Sequence, residues 1–511
     1  MDQRARLRQG LLLIAIPCLV SVVALTFMSP RFLGPQADEF YSVWPAQRLL
    51  RGDVPYLDVF THRPPLDILS NALALAVVGE TLTASRLLQV LSMVIAAYLL
   101  FALLRRWGAS DWEAAGGALL PTCLCFPLWP LPSAHWQALP FALGAILLLE
   151  SARQEGQATS LPRLVGAGAL AGLAGLTIQT EGAVVCAWLF LRALGGSDPR
   201  RELPPLLGGI ALPLVISGIV LAACGALGAA YECVVHFPLF SYKPGFNDVS
   251  FTGSVSTTFE FFAESYGPAG PALLTVALAL PLGALGLGIA HLCRERTRLN
   301  AAGLAWLLVI VAVFFKGRSD LIHFGIFLPY LLVVWFEFAL REATPSAARK
   351  VTSAWLVLAL VVGGGLVTSS WSKGIQPKQA LWLDYDFRRS VNQTLAALPP
   401  ELREAPLLSL PYGSSFYFFR PAEAPGIDWV CLPSQGYNPP EHHQRLAAWL
   451  EEERVPLVLL QRSPFGVGFL REESPLKDSL ENYQLYASVG DRLIYVRKSV
   501  LGGRPAPGAP R

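Results

Sequence analysis

The chain is 511 residues long, 53% hydrophobic and 15% charged, against about 25% charged residues in a soluble domain. With a mean hydropathy of +0.45, that balance excludes an ordinary soluble globular protein and reads as an integral membrane protein. The formal net charge of +3 is too small to suggest nucleic-acid binding, and the basic residues fall where membrane topology places them.

In chain order, residues 11–28 follow Arg4, Arg6 and Arg8 and have the charge and apolar core of a signal peptide. No small-residue cleavage pattern follows them, so they are expected to remain as a first transmembrane helix. Residues 36–67 then gather Asp38, Glu39, Asp53, Asp58, Asp67, Arg48, Arg51, His62 and Arg63 into one short interval. A loop this rich in both charges, lying between apolar helices, has the composition of a membrane-surface active site rather than of a connector.

Apolar windows long enough for about 30 Å of hydrocarbon fall near 10–29, 84–104, 112–130, 135–151, 161–178, 182–197, 204–229, 268–290, 300–315, 321–340 and 351–370. The fold class expected is therefore mainly α, a polytopic helical bundle of about eleven spans. Arginines recur at every second loop, among them Arg105, Arg106, Arg153, Arg163, Arg192, Arg200, Arg201, Arg294, Arg298, Arg341 and Arg349. Those loops are assigned to the cytoplasm. The alternate loops and the 36–67 stretch are then external. Parity requires the apolar run 66–78 to start and finish outside, so it is expected as a re-entrant or interfacial helix; an extra short crossing is the other reading.

From about residue 371 the sequence becomes mixed and Pro-rich. A small external α/β domain is predicted over 371–500, with strand-like runs at 407–410, 415–419, 457–461 and 493–497 and an amphipathic helix at 441–454. Residues 501–511 read as a disordered tail. The domains expected are thus a membrane module over 1–370, containing an external catalytic loop at 30–83, the soluble domain and the tail. The cysteines lack CxxC spacing and read as packing residues; Cys233 and Cys431 could share an oxidising compartment.

Asp38 and Glu39 stand about ten residues beyond the first helix, where a carboxylate can take a proton from an acceptor hydroxyl or amine, and a second acid can orient it or help hold a divalent ion. Two solvated loop carboxylates are the plainer reading. Their company weighs against it: Tyr41, Gly52, Pro55-Tyr56-Leu57-Asp58 and His62-Arg63-Pro64-Pro65-Leu66. In order and spacing this stretch resembles the first external loop of the GT-C superfamily of membrane glycosyltransferases, in the branch of protein O-mannosyltransferases and lipid A aminoarabinose transferases. Arg63 between His62 and the proline pair departs from the His-Pro-Pro of the protein mannosyltransferases, which leaves the acceptor class open.

The resemblance implies an inverting hexosyl- or pentosyltransferase of a bacterial inner membrane, with its N-terminus cytoplasmic and its C-terminal domain periplasmic. It would move a sugar from a polyprenyl phosphate to an acceptor glycan, lipid or protein, with Asp38 as general base and Glu39 supporting it. Asp38 and Glu39 are also the residues that would hold a divalent cation, Mg or Mn. A departing lipid phosphate needs cations at the membrane surface, and the candidates are His62, Arg63, Arg86, Lys243, Lys316, Arg318 and His323. Self-neutralisation by Asp320, or snorkelling of Arg86, would account for some of these equally well. His135 and Glu181 read as structural groups at external helix ends. The aromatics of loop 231–267 read as an interface belt. A transporter or flippase is the competing class, but the Gly/Pro-broken helix pairs in equivalent halves that it calls for are missing from the sequence.

Overall fold

The computed structural model describes residues 3–28, 37–153, 160–196, 198–241, 251–294, 297–316, 321–340, 346–381, 383–420, 427–429, 432, 438–452, 455–462, 468–470 and 476–502. Helices dominate them. In chain order they are α1 (Gln3–Phe27), α2 (Ala37–Leu50), α3 (Pro65–Val78), α4 (Leu82–Arg106), α5 (Asp111–Leu120), α6 (Ala134–Ala152), α7 (Leu161–Thr177), α8 (Gln179–Gly195), α9 (Pro199–Ala223), α10 (Leu227–Tyr231), α11 (Phe251–Tyr266), α12 (Ala269–Arg294), α13 (Arg298–Lys316), α14 (Leu321–Leu340) and α15 (Ser346–Ser372).

Among the described residues, α1, α4, α9, α12, α14 and α15 each contain a span long and apolar enough to cross a bilayer. Their outer faces carry the side chains that lipid would cover: α9 exposes Leu212, Val215, Ile216, Ile219 and Val220. The other expected spans are shorter or interrupted. Residues 112–130 start cleanly, because Ser110 accepts from the Glu113 amide at 3.3 Å while the Glu113 carboxylate accepts from the Ser110 amide at 2.8 Å, a reciprocal cap. Pro121 then ends α5, since it has no amide hydrogen to continue the ladder, and the chain passes through a π turn (Pro121–Cys125) and a 3-10 turn (Phe126–Leu128). Helices α7 and α9 meet backbone to backbone: a Cβ on Gly168 would lie 2.2 Å from the Leu206 carbonyl oxygen, and one on Gly209 2.2 Å from that of Val165, the close approach that small residues permit between membrane helices.

Helix α3 has 14 residues, a rise of only about 21 Å, short of a hydrocarbon core. It packs between α2, α4 and α7.

Beyond α15 come α16 (Pro377–Leu381), α17 (Leu383–Ala396), β1 (Leu407–Leu410), α18 (Ser414–Tyr417), α19 (Pro440–Glu451), β2 (Leu457–Gln461), β3 (Tyr483–Val489) and β4 (Arg492–Arg497). The strands form one sheet in the order β1-β2-β4-β3, with β1 parallel to β2 and the other pairs antiparallel. The predicted strand at 415–419 is instead the helix α18. Four consecutive aromatics carry no period that separates a strand from a buried helix, and the helical turn lets Phe418 and Phe419 meet Phe40 of α2 at 5.8 and 6.1 Å. The tail from 503 and Cys431 lie outside the described residues; Cys233 is a free, buried thiol.

Buried apolar side chains form two clusters. One fills the membrane helices. The other joins α2, α3 and the 52–60 segment to the sheet, through residues such as Trp44, Tyr56, Ile68, Leu408, Trp429 and Leu459. The charged stretch thus shares its core with the C-terminal α/β region.

Candidate functional site

The charged stretch over residues 36–67 is held from within. Arg48 pairs with Asp53, and the Asp58 carboxylate accepts from the Val54 amide at 2.7 Å, closing the turn that carries Tyr56. Tyr56 sits at φ 73°, a left-handed backbone that a bulky residue adopts only under constraint. The constraint is visible: its amide donates to the Val59 carbonyl at 3.0 Å, and its hydroxyl donates to the Arg63 carbonyl at 2.9 Å. The turn therefore aims its ring at the far end of the loop and fixes Arg63 there.

Glu39 and Arg86 form a second anchor. The Arg86 guanidinium donates from Nε and Nη2 to the two Glu39 oxygens, each at 2.9 Å, and from Nη1 to the carbonyls of Met28 at 2.7 Å and Ala380 at 2.8 Å. Both side chains are at most 3% exposed. This bidentate pair ties the end of α1, the start of α2, α4 and α16 together. As placed, both Glu39 oxygens and all three Arg86 nitrogens are engaged within the protein. Among the described residues, no three His, Cys, Asp or Glu side chains gather as a metal centre would require. The Asp38 side chain, the other half of the expected cation pair, lies outside the described residues, and no step below is routed through a metal ion.

Arg63 is the opposite case. It is 8% exposed, yet its Nε and Nη1 have no hydrogen-bond partner among the described residues. The Tyr41 ring lies 6.0 Å from its guanidinium carbon and 5.6 Å from the His62 ring. Tyr41 stands one turn after Asp38 on α2, and Ser42 of the next position donates to the Asp67 carboxylate at 2.7 Å. Residues three and four apart share a helix face, so the position of Asp38 lies on the face of α2 that meets His62, Arg63 and Asp67. The Asp38 side chain, the Lys316 side chain, Lys243 and Arg318 lie outside the described residues.

Three helix starts converge on this loop end. Ser70 of α3 donates to Gln137 of α6 at 3.0 Å, His135 Nδ1 of α6 lies 2.6 Å from Glu181 of α8, and Gln179 of α8 donates to the His62 carbonyl at 3.0 Å. Asn71, which donates to the Asp67 carbonyl at 2.9 Å and accepts from Ser85 at 2.9 Å, continues this network to α4. Helix starts carry partial positive charge, and the buried Gln89 Nε2, Ser133 Oγ and Gln137 Nε2 are further groups left without partners among the described residues. Unpaired donors and helix starts beside a buried guanidinium are the kinds of group that can hold an anion. The His323 ring lies 5.0 Å from that of Trp129. Of the groups singled out from the sequence, Tyr41, His62 and Arg63 come together at this point. Gln137 and Gln179 carried no sequence signal, being ordinary polar residues within apolar runs.

The C-terminal region closes over the loop. The Phe60 amide donates to the Asp428 carbonyl, Phe60 stacks edge-on with His442 at 4.8 Å, and His442 lies 5.6 Å from Trp429. Burial above all, then neighbouring Arg63 and His135, pushes the His62 imidazole down to about 3. Burial, then Arg445 and His443, pushes His442 down to about 3. An unfolded imidazole takes its proton near about 6.5, so between these values the folded state binds fewer protons. Stability from these two groups is full above about pH 6.5 and falls as pH drops towards about 3. Thermal unfolding in detergent should therefore weaken between about pH 7.5 and about pH 5, and His442→Phe, which keeps the ring contacts, should weaken the dependence. A flat profile in the unsubstituted protein would contradict this.

The fold is shared with known proteins. Residues 62–220 match the family described as dolichyl-phosphate-mannose-protein mannosyltransferase. No curated protein matches the chain. Among solved structures, ArnT from Cupriavidus metallidurans bound to undecaprenyl phosphate superposes with a TM-score of 0.56 at 15% identity, over 97% of this chain and 99% of that one. The Archaeoglobus fulgidus oligosaccharyltransferase in complex with Zn and sulfate superposes with a TM-score of 0.52 at 13% identity, over 94% of this chain and 73% of that one. The chain has the fold of these membrane glycosyltransferases, and the resemblance read from its first external loop is borne out.

Proposed function

We propose that this membrane protein transfers a sugar from a polyprenyl phosphate to an acceptor on the external face of the membrane. The observation that carries the reading is the buried Arg63 guanidinium, whose Nε and Nη1 have no hydrogen-bond partner among the described residues, where three helix starts meet beside the Asp38–Glu39 turn. Burying a cation with hydrogen bonds unmade costs stability, and a transferase recovers that cost when a phosphate fills the place. The ArnT structure, solved with undecaprenyl phosphate, lends the carrier its chemical class.

The reaction is a single displacement. The acceptor's hydroxyl or amine attacks the anomeric carbon, the bond from that carbon to the phosphate oxygen breaks on the opposite side, and the configuration inverts. The electron pair leaves with the phosphate, which gains a negative charge that Arg63 and the helix starts of α3, α6 and α8 stabilise as it develops. The proton lost by the acceptor passes to Asp38. Glu39, locked by Arg86, holds the first turn of α2 in place. His62, kept neutral by its burial, supplies hydrogen bonding without competing for the phosphate's charge. Lys243, Lys316, Arg318 and His323 remain candidates for the same phosphate. The active face would be periplasmic in a bacterial inner membrane, with the N-terminus cytoplasmic.

Asp38→Asn tests the assignment of the base. Removing a general base costs about 10²- to 10⁴-fold, so transfer should fall by at least that while expression and thermal unfolding stay unchanged. Undiminished transfer by Asp38→Asn would remove Asp38 from the mechanism.

A further inference from the structure

Resting on that reading, the geometry points to His135, oriented by Glu181, as a second contact to the donor's phosphate besides Arg63.

His135 is the second residue of α6, after the cap residue Ser133 and the first helical residue Ala134. Its Nδ1 lies 2.6 Å from a Glu181 oxygen whose carboxylate is fully buried, and the second Glu181 oxygen accepts from Thr180. Both oxygens are thus assigned, and the imidazole is held by its Nδ1 edge. No described residue hydrogen-bonds its Nε2. The ring is 14% exposed, so a small opening reaches it. Among the described residues, the charged or titratable groups around the pair are Glu181 from α8, His62 from the loop, Asp67 from α3 and Tyr330 from α14, with Arg63 beside His62 and Asp67. A carboxylate buried this near an anion site would repel the phosphate. An imidazolium between them removes the conflict: its Nδ1–H donates to Glu181, its Nε2–H donates to the phosphate, and the carboxylate's charge is neutralised within the pair. As the bond to the anomeric carbon breaks, the leaving phosphate takes the electron pair, and the imidazolium supplies charge opposite to it without giving up its proton. His135 is then a phosphate-binding residue, and Glu181 a positioning residue that acts through it.

Binding of a polyprenyl phosphate tests this apart from catalysis. Undecaprenyl phosphate gains its second charge near about pH 6, which would mask the imidazole, so the probe is its methyl diester, a monoanion throughout. The unsubstituted protein in nanodiscs should bind the diester about tenfold more tightly at low than at high pH. His135→Gln, which keeps a donor nitrogen but cannot titrate, should bind with no pH dependence. Glu181→Gln should reduce the slope, and this variant keeps the test open should His135→Gln fail to fold. A slope retained in His135→Gln, or none in the unsubstituted protein, overturns the proposal. Failure of the unsubstituted protein to bind either undecaprenyl phosphate or its diester at any pH overturns the lipid-phosphate reading itself, a result distinct from a flat but measurable affinity.

Discussion

Replacing Arg63 with Met should lower transfer about 10²- to 10³-fold, the loss typical of removing one preorganised donor from a developing oxyanion, without destabilising the fold. The second half of that statement makes it diagnostic. A buried guanidinium whose Nε and Nη1 meet no hydrogen-bond partner among the described residues stabilises little by hydrogen bonding, and its desolvation is a cost that an apolar side chain of similar length relieves. Thermal unfolding of Arg63→Met should therefore occur at the same temperature or higher. That combination, activity lost and stability kept, is what a binding residue gives when its ligand is absent. A variant that unfolds readily would instead make Arg63 part of the scaffold, and one that transfers normally would remove it from the site.

Arg86→Ala should behave the other way. It strands the Glu39 carboxylate in a place at most 3% exposed and frees the Met28 and Ala380 carbonyls that the guanidinium now joins. Breaking one side of a buried ion pair costs about 3–5 kcal/mol, enough to remove a large part of a membrane domain's margin. The expected result is a sharp fall in thermal midpoint and in folded yield, with activity lost as a consequence. Arg86→Lys keeps the charge but cannot form the two-pronged contact, and should recover only part of the loss. Equal stability of Arg86→Ala and the unsubstituted protein would contradict the anchoring role. The two arginines, alike in the sequence as cations near an external helix end, thus separate by what each side chain touches.

Much of the membrane architecture was legible in the sequence, because lipid imposes a length and a hydropathy that single windows record. The amphipathic helix of the external domain also announced itself: Leu446, Trp449 and Leu450 are all buried. Residues 415–419 misled, since a run of aromatics satisfies strand propensity while the fold needed one helical turn to bring Phe418 and Phe419 to Phe40. Strand β3 alternates Tyr483, Leu485, Ala487 and Val489 with Gln484, Tyr486 and Ser488, a period-two signal that the apolar Tyr486 ring weakens. At the site, the Asp38–Glu39 and His62–Arg63 ends were visible because charge in an apolar chain stands out. The division of labour was not: that Arg86 is committed to Glu39 while Arg63 is left open depends on contacts between residues 47 positions apart. The pairing of His135 with Glu181 across 46 positions is likewise a property of how α6 meets α8, and each residue alone looks like a helix cap.

The most direct test of the central claim is mass spectrometry of both the cell-envelope glycans and the polyprenyl-phosphate sugars, in cells making the unsubstituted protein and in cells making Asp38→Asn at equal levels. A transferase predicts that one sugar disappears from the glycans in the Asp38→Asn cells while the same sugar accumulates on its lipid phosphate. Identical glycans and identical lipid-linked sugars in the two would contradict it.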